Sequence, residues 1–253
     1  MQLNYTGIPM KALAILTKVN GGDQAKVILE EIRSTLVHHS GKLFSYGIPV
    51  IVIGVLLSVF QQFVGINVVL YYAPEIFKGM GSGTDTALLQ TIIVGAVNLL
   101  FTVVAIMTVD KFGRKPLMII GALGMAASMF ALGGAFFTET LGIFAIVCML
   151  FYVASFAMSW GPVVWVLLSE IFPNKIRGRA MAVAVAAQWI SNYLVSWTFP
   201  MMDKNTYLVE TFHHGFAYWI YGVMGLLATI LVWKFVPETK GITLEDMEGH
   251  WKK

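Results

Sequence analysis

Six intervals of the chain carry no Asp, Glu, Lys or Arg: residues 43–74, 86–109, 116–138, 140–169, 180–202 and 211–233. Each holds between 23 and 32 residues, and about 20 apolar residues let a helix cross a hydrocarbon core of about 30 Å. With no water inside a bilayer, backbone N–H and C=O groups must bond within their own segment, so such intervals predict transmembrane helices. The expected spans run at about 46–73, 86–109, 116–137, 141–169, 180–201 and 214–236. A linker over residues 1–42 precedes this 43–236 bundle and a polar tail, 237–253, follows it.

Composition agrees with that reading. The chain has 253 residues, 57% hydrophobic and 12% charged, whereas an average soluble domain is about half apolar and about a quarter charged. The balance excludes an ordinary soluble enzyme, a disordered chain and a nucleic-acid binder. The single cysteine, Cys148, excludes an intrachain disulfide framework and any Cys-based metal cluster.

Basic residues orient the spans. If the linker is cytoplasmic, 15 of the 17 Lys and Arg lie on that side, and only Lys78 and Lys204 lie outside. The positive-inside rule then places both termini in the cytoplasm. The N-terminal apolar stretches are short and charge recurs from Lys11 onward, so the expectation is that no signal peptide is present. Residues 10–38 read as one or two short amphipathic helices split at Asn20-Gly21-Gly22, and a short acidic helix is expected from Thr243. Gly65, Gly161-Pro162 and Pro200 interrupt the first, fourth and fifth spans.

Six carboxamides lie inside the spans: Gln61, Gln62 and Asn67, then Asn98, then Gln188 and Asn192. A lone buried amide serves as glue between helices, but a run such as Gln61-Gln62-Phe63-Val64-Gly65-Ile66-Asn67 predicts a polar cavity. Amides both donate and accept hydrogen bonds, as hydroxyls do, and no charge sits mid-span to neutralise an ionic substrate. With Phe63, Tyr71, Tyr72, Phe156, Trp160, Trp165 and Trp189 nearby, the mixture suits a neutral, hydroxyl-rich small molecule such as a monosaccharide. Trp197, Trp219 and Trp233, at span ends, read as interfacial anchors. On one ideal helix Gln61, Gln62, Asn67 and Tyr71 spread over about 220° of arc, so a single cavity demands a break near Gly65. Gln188 and Asn192, four apart, share a face. No nucleophile, acid–base pair or metal cluster is visible within the spans. His38-His39 and His213-His214 are adjacent pairs whose side chains diverge by about 100° on a helix, a poor ligand geometry.

The residues then resemble a known family, the sugar porter branch of the major facilitator superfamily. Asp110-Lys111-Phe112-Gly113-Arg114-Lys115 is similar to its D-R-x-G-R-R loop signature, with Lys111 in place of the usual Arg. Gln61-Gln62 through Asn67, with Tyr71-Tyr72, resembles its seventh helix. Gly161-Pro162-Val163-Val164-Trp165, and Glu170 through Arg177-Gly178-Arg179, resemble the tenth helix and the loop after it. Pro237-Glu238-Thr239-Lys240-Gly241 resembles the signature after helix twelve, so the likeness covers residues 10 to about 250.

The resemblance implies an all-α membrane protein: a six-transmembrane-helix bundle forming the C-terminal half of a twelve-helix major facilitator fold, preceded by a short cytoplasmic helical linker. It implies a sugar site of Gln61, Gln62, Asn67, Asn98, Trp165 and Gln188, shielded by Tyr71 and Phe156. It also implies a cytoplasmic gate drawn from Asp110, Arg114, Glu170 and Arg177. No enzyme activity, cofactor or metal is expected. The expected partners are a small-molecule sugar, a pentose or hexose, the lipid bilayer of the cell membrane, and a complementary N-terminal six-helix half or a second copy. No nucleic acid is expected. A P-E-S-P-R motif that the family carries just before the position of residue 10 is not found in residues 1–9. Proton-coupling groups of the symporter relatives fall in the first half. A six-helix remnant that moves no solute is the competing expectation.

Overall fold

The computed structural model describes residues 13–18, 21–35 and 43–251, and among them every regular element is a helix. His38, His39 and the rest of 1–12, 19–20, 36–42 and 252–253 lie outside the described residues. The chain divides into two units between Gly41 and Lys42. In the first, residues 13–18 are helical and α1 spans Gly22–Thr35, with Gly21 at φ 79° beside the expected split.

The second unit is the membrane bundle. Its helices are α2 (Ile48–Phe63), α3 (Ile66–Tyr71), α4 (Ala73–Gly79), α5 (Thr84–Phe112), α6 (Arg114–Phe137), α7 (Ile143–Met158) and α8 (Trp160–Ile171). Then follow α9 (Arg177–Asp203), α10 (Thr206–Phe212), α11 (Phe216–Phe235) and, in the tail, α12 (Leu244–His250). The last begins where expected, Thr243 capping it by accepting from Asp246 N at 3.2 Å.

Five stretches are long and apolar enough to cross a membrane: α2 with α3, α5, α6, α7 with α8, and α11. The sixth expected span lies within α9, which has the length but not the apolarity. Gln188, Ser191, Asn192, Ser196 and Thr198 dilute it, and Arg177 and Arg179 charge its first turn. Gln188, which the resemblance assigns to the sugar site, is one of the groups that lower its hydropathy. Two interruptions also differ from expectation. The fourth span breaks at Ser159, before Gly161-Pro162, so Pro162 falls in the first turn of α8, where its missing N–H is no loss. Pro200 lies inside α9 near its end, and the helix runs through it.

Packing relies on small residues. α6 lies against α11 and α7, while α9 lies mainly against α2. A Cβ at Gly121 would fall 1.7 Å from Ser159 Oγ, and one at Gly225 would fall 3.1 Å from the Ala126 methyl. Such close approach is how helices associate where lipid tails leave little hydrophobic drive. Of the five apolar stretches α5 is the least buried, exposing Leu88, Leu89, Ile92, Leu99, Leu100, Ile106 and Met107 on the outside of the bundle.

Candidate functional site

The first span is broken where the amide geometry demanded. α2 ends at Phe63, and Gly65 takes φ 92° and ψ 15° before α3 starts at Ile66. That is the left-handed region, which side chains disfavour. Space imposes glycine as well, since a Cβ there would lie 2.7 Å from Cγ of Tyr221. From α7, Tyr152 donates its hydroxyl to the Val64 carbonyl at 2.7 Å.

On a straight helix, side chains five apart diverge by about 140°. Across this break Asn67 Nδ2 reaches Gln62 Oε1 in a short hydrogen bond and donates to Asn192 Oδ1 at 2.9 Å. Ser196 Oγ donates to the same Asn192 oxygen at 3.2 Å. Gln61, one residue round on α2, donates Nε2 to the carbonyls of Trp160 (2.9 Å) and Gly161 (3.2 Å) at the start of α8. Both interrupted spans therefore meet through a glutamine. Gln188 lies one turn before Asn192 on the buried stripe of α9 that also holds Ala180, Ala184 and Val195. The Oε1 atoms of Gln61 and Gln188 are buried and lack a hydrogen-bond partner among the described residues.

The remaining predicted residues stand apart from this chain of amides. Asn98 is half-buried on α5, and its side chain makes no hydrogen bond among the described residues. Trp165 and Tyr71 are 40% and 55% exposed on the unit's surface. Phe156 is buried beside the α7–α8 break, its ring 3.3 Å from where a Gly161 Cβ would sit. Trp160 belongs wholly to the core and donates Nε1 to Met118 O at 2.9 Å. Asn192 is the residue that sequence reasoning left out of the site, although its four-residue spacing from Gln188 was the available signal.

At the basic end, Arg114 opens α6. Its guanidinium pairs with Glu170 through Nη2 at 2.8 Å and Nε at 3.1 Å, and with exposed Asp110 through Nη1 at 3.0 Å. Thr239 Oγ1 donates to Glu170 Oε2. Glu238, not among the predicted gate residues, caps the start of α6 by accepting from Arg114 N and Lys115 N, both at 3.0 Å. It also accepts from Thr239 N and Lys240 N, both at 2.9 Å. Burial raises the pKa of Glu238, but the N–H groups of Lys240, Arg114, Lys115 and Thr239 outweigh it, and the net shift is downward. Gly113 makes room, for a Cβ there would lie 2.8 Å from Glu238 Oε2. Arg177 forms no ion pair among the described residues. It tucks under the turn between α8 and α9, donating Nε to Phe172 O at 3.2 Å, and leaves Nη2 buried without a partner.

Comparison with known proteins agrees with this architecture. Residues 7–251 match the profile of the family described as sugar (and other) transporter. The chain is 67% identical to the D-xylose-proton symporter of Escherichia coli (strain K12) over 245 residues, which are 96% of this chain and 50% of that protein. Against the glucose facilitated diffusion protein of Zymomonas mobilis it is 51% identical over 213 residues, covering 84% and 45%. Among solved structures, the proton:xylose symporter XylE bound to 6-bromo-6-deoxy-D-glucose superposes with a TM-score of 0.82 at 66% identity, over 97% of this chain and 52% of that one. The inward open conformation of the xylose transporter from E. coli gives 0.77 at 63%, over 96% and 50%. The chain thus spans about half the length of the relatives it matches, and its fold is the C-terminal half of a twelve-helix major facilitator protein. With motifs, helix order and matches in agreement, this multi-pass membrane chain belongs to the sugar (and other) transporter family.

Proposed function

We propose that this six-helix unit supplies half of a monosaccharide transporter of the cell membrane, with both termini cytoplasmic. The substrate is a pentose such as D-xylose, or a hexose, held by Gln61, Gln62, Asn67 and Gln188, with Asn98, Trp165, Tyr71 and Phe156 closing the site against the other half. The observation that carries this reading is the buried amide chain Gln62–Asn67–Asn192, flanked by the buried oxygens of Gln61 and Gln188 that have no partner among the described residues. A buried oxygen without a donor costs about 1–3 kcal/mol, and a sugar hydroxyl relieves that cost while accepting from an amide N–H. The amide set has no ionisable group, so proton coupling in the intact transporter falls to residues beyond it. Asp110, Arg114, Glu170 and Arg177 form the cytoplasmic gate, in which the Arg177 nitrogen that has no partner among the described residues is available to a carboxylate of the other half.

The test is uptake of D-xylose and D-glucose into proteoliposomes under an inward proton gradient. Alternating access needs two halves moving about a midplane site, so the chain alone gives no saturable uptake. Supplied with the N-terminal six-helix half of the E. coli D-xylose-proton symporter, it gives saturable uptake that Gln188→Ala abolishes. Full uptake by that variant would return Gln188 to interhelical bonding. Saturable uptake by the unaccompanied chain would assign the complementary half to a second copy.

A further inference from the structure

The break at Gly65 is held from outside α2 and α3, by two tyrosines on helices that contribute nothing else to the amide chain. Tyr152, fully buried on α7, places its hydroxyl 2.7 Å from the carbonyl of Val64, a residue belonging to neither flanking helix. Tyr221, 3% exposed on α11, lays its ring against the next residue, so closely that only glycine fits. The two act by different means. Tyr152 acts through a hydrogen bond, whereas the hydroxyl of Tyr221 is buried with no partner among the described residues, leaving the ring as its active part.

Gln62 lies before the break and Asn67 after it, so their hydrogen bond exists only while the break keeps its angle. The same holds for Asn67 and Asn192, since Asn192 belongs to a continuous α9. A change of angle at Val64-Gly65 moves Asn67 away from both partners at once. We infer that Tyr152 and Tyr221 are positioning residues for the sugar site, acting through Val64 and Gly65 to hold Asn67 between Gln62 and Asn192. This rests on the transport reading above.

Two readouts test it separately. In the chain paired with the symporter's N-terminal half, Tyr152→Phe raises the KM for D-xylose uptake about tenfold, the worth of a lost hydrogen bond of ~1.4 kcal/mol, with Vmax within about twofold. Tyr221→Phe leaves both constants unchanged, while Tyr221→Ala raises KM; should the alanine variant fail to assemble, Tyr221→Leu serves in its place. In the chain alone in nanodiscs, hydrogen exchange over residues 66–70, which include the Val69 amide bonded to Gly65 O at 3.2 Å, quickens about tenfold in Tyr152→Phe. It stays unchanged in Tyr221→Phe and in Gln188→Ala. Unchanged exchange and KM in Tyr152→Phe overturn the inference, as does a Tyr221→Phe variant as impaired as Tyr221→Ala. Faster exchange with an unmoved KM also overturns it, because the clasp then does not position the site. If the unaltered chain with its partner half takes up no sugar, the transport reading falls, and exchange alone decides whether the tyrosines hold the break.

Discussion

Arg114 grips the carboxylate of Glu170 with two parallel hydrogen bonds, from Nη2 at 2.8 Å and Nε at 3.1 Å, joining the first turn of α6 to the last turn of α8. The side chains are 12% and 23% exposed, so water screens this pair far less than it screens the bond to Asp110, which is 80% exposed. A planar guanidinium matched to a carboxylate is the strong form of ion pair, whereas an exposed one contributes little. Glu170→Ala therefore destabilises the unit by about 2 kcal/mol, and Asp110→Ala produces no measurable shift. Thermal unfolding in detergent, followed by a thiol-reactive dye at the buried single cysteine Cys148, checks both.

Glu238 sets an acid limit on the same end of the bundle. Its pKa in the folded chain lies below the ordinary 4.5, so its stabilising contribution is fully present above that value. The contribution is lost as pH falls through the lower folded-state pKa, when the carboxylate gives up its role as acceptor for four N–H groups. Between pH 7 and pH 3 the melting temperature of the unaltered chain falls more steeply than that of Glu238→Gln. Parallel curves would show that another group carries the acid sensitivity.

Gly121→Ala probes the close packing of α6 on the α7–α8 break. The added methyl would land 1.7 Å from Ser159 Oγ and 2.4 Å from Ser159 Cβ, and Ser159 is fully buried with its hydroxyl bound to Ser155 O at 2.6 Å. The backbone oxygen of Ser155 would lie 3.0 Å from the methyl as well, so turning the Ser159 side chain does not clear it, and overpacking of this kind costs about 1–3 kcal/mol. Gly134→Ala on the same helix meets nothing within 4 Å and serves as the control, with a melting temperature that does not fall and rises slightly with the gain in helix propensity.

Asn67 and Asn98 separate under substitution. Asn67→Ala strips the donor from both Gln62 Oε1 and Asn192 Oδ1, and raises the KM for sugar more than tenfold in the two-half transporter. Asn98→Ala breaks no side-chain hydrogen bond among the described residues, so its effect on melting of the chain alone is nil. Any rise in KM it causes reports a contact made only with sugar or the other half. Equal thermal losses from the two variants would contradict this division.

Much of the architecture was legible because lipid imposes a local rule. Uncharged length predicts spans residue by residue, and the divergence of Gln62 and Asn67 on one helix was enough to require an interruption near Gly65. The second interruption lies at Ser159, at φ −133° and ψ −86°, two residues before the Gly161-Pro162 pair that signals it in sequence, because proline is accommodated in the first turn of the helix that follows. The span within α9 is uncharged but not strongly apolar, because Gln188, Ser191, Asn192, Ser196 and Thr198 lower its hydropathy.

Span count, charge asymmetry, the supply of amides and the family resemblance follow from the chain alone, since hydropathy and motif spacing are properties of neighbouring residues. Tertiary structure alone decided which of those groups meet. Tyr152 reaches Val64 across 88 residues, Arg114 N reaches Glu238 across 124, and Asn67 reaches Asn192 across 125. Such pairings depend on helix packing angles and on where glycines let backbones approach, and no periodicity in the chain encodes them.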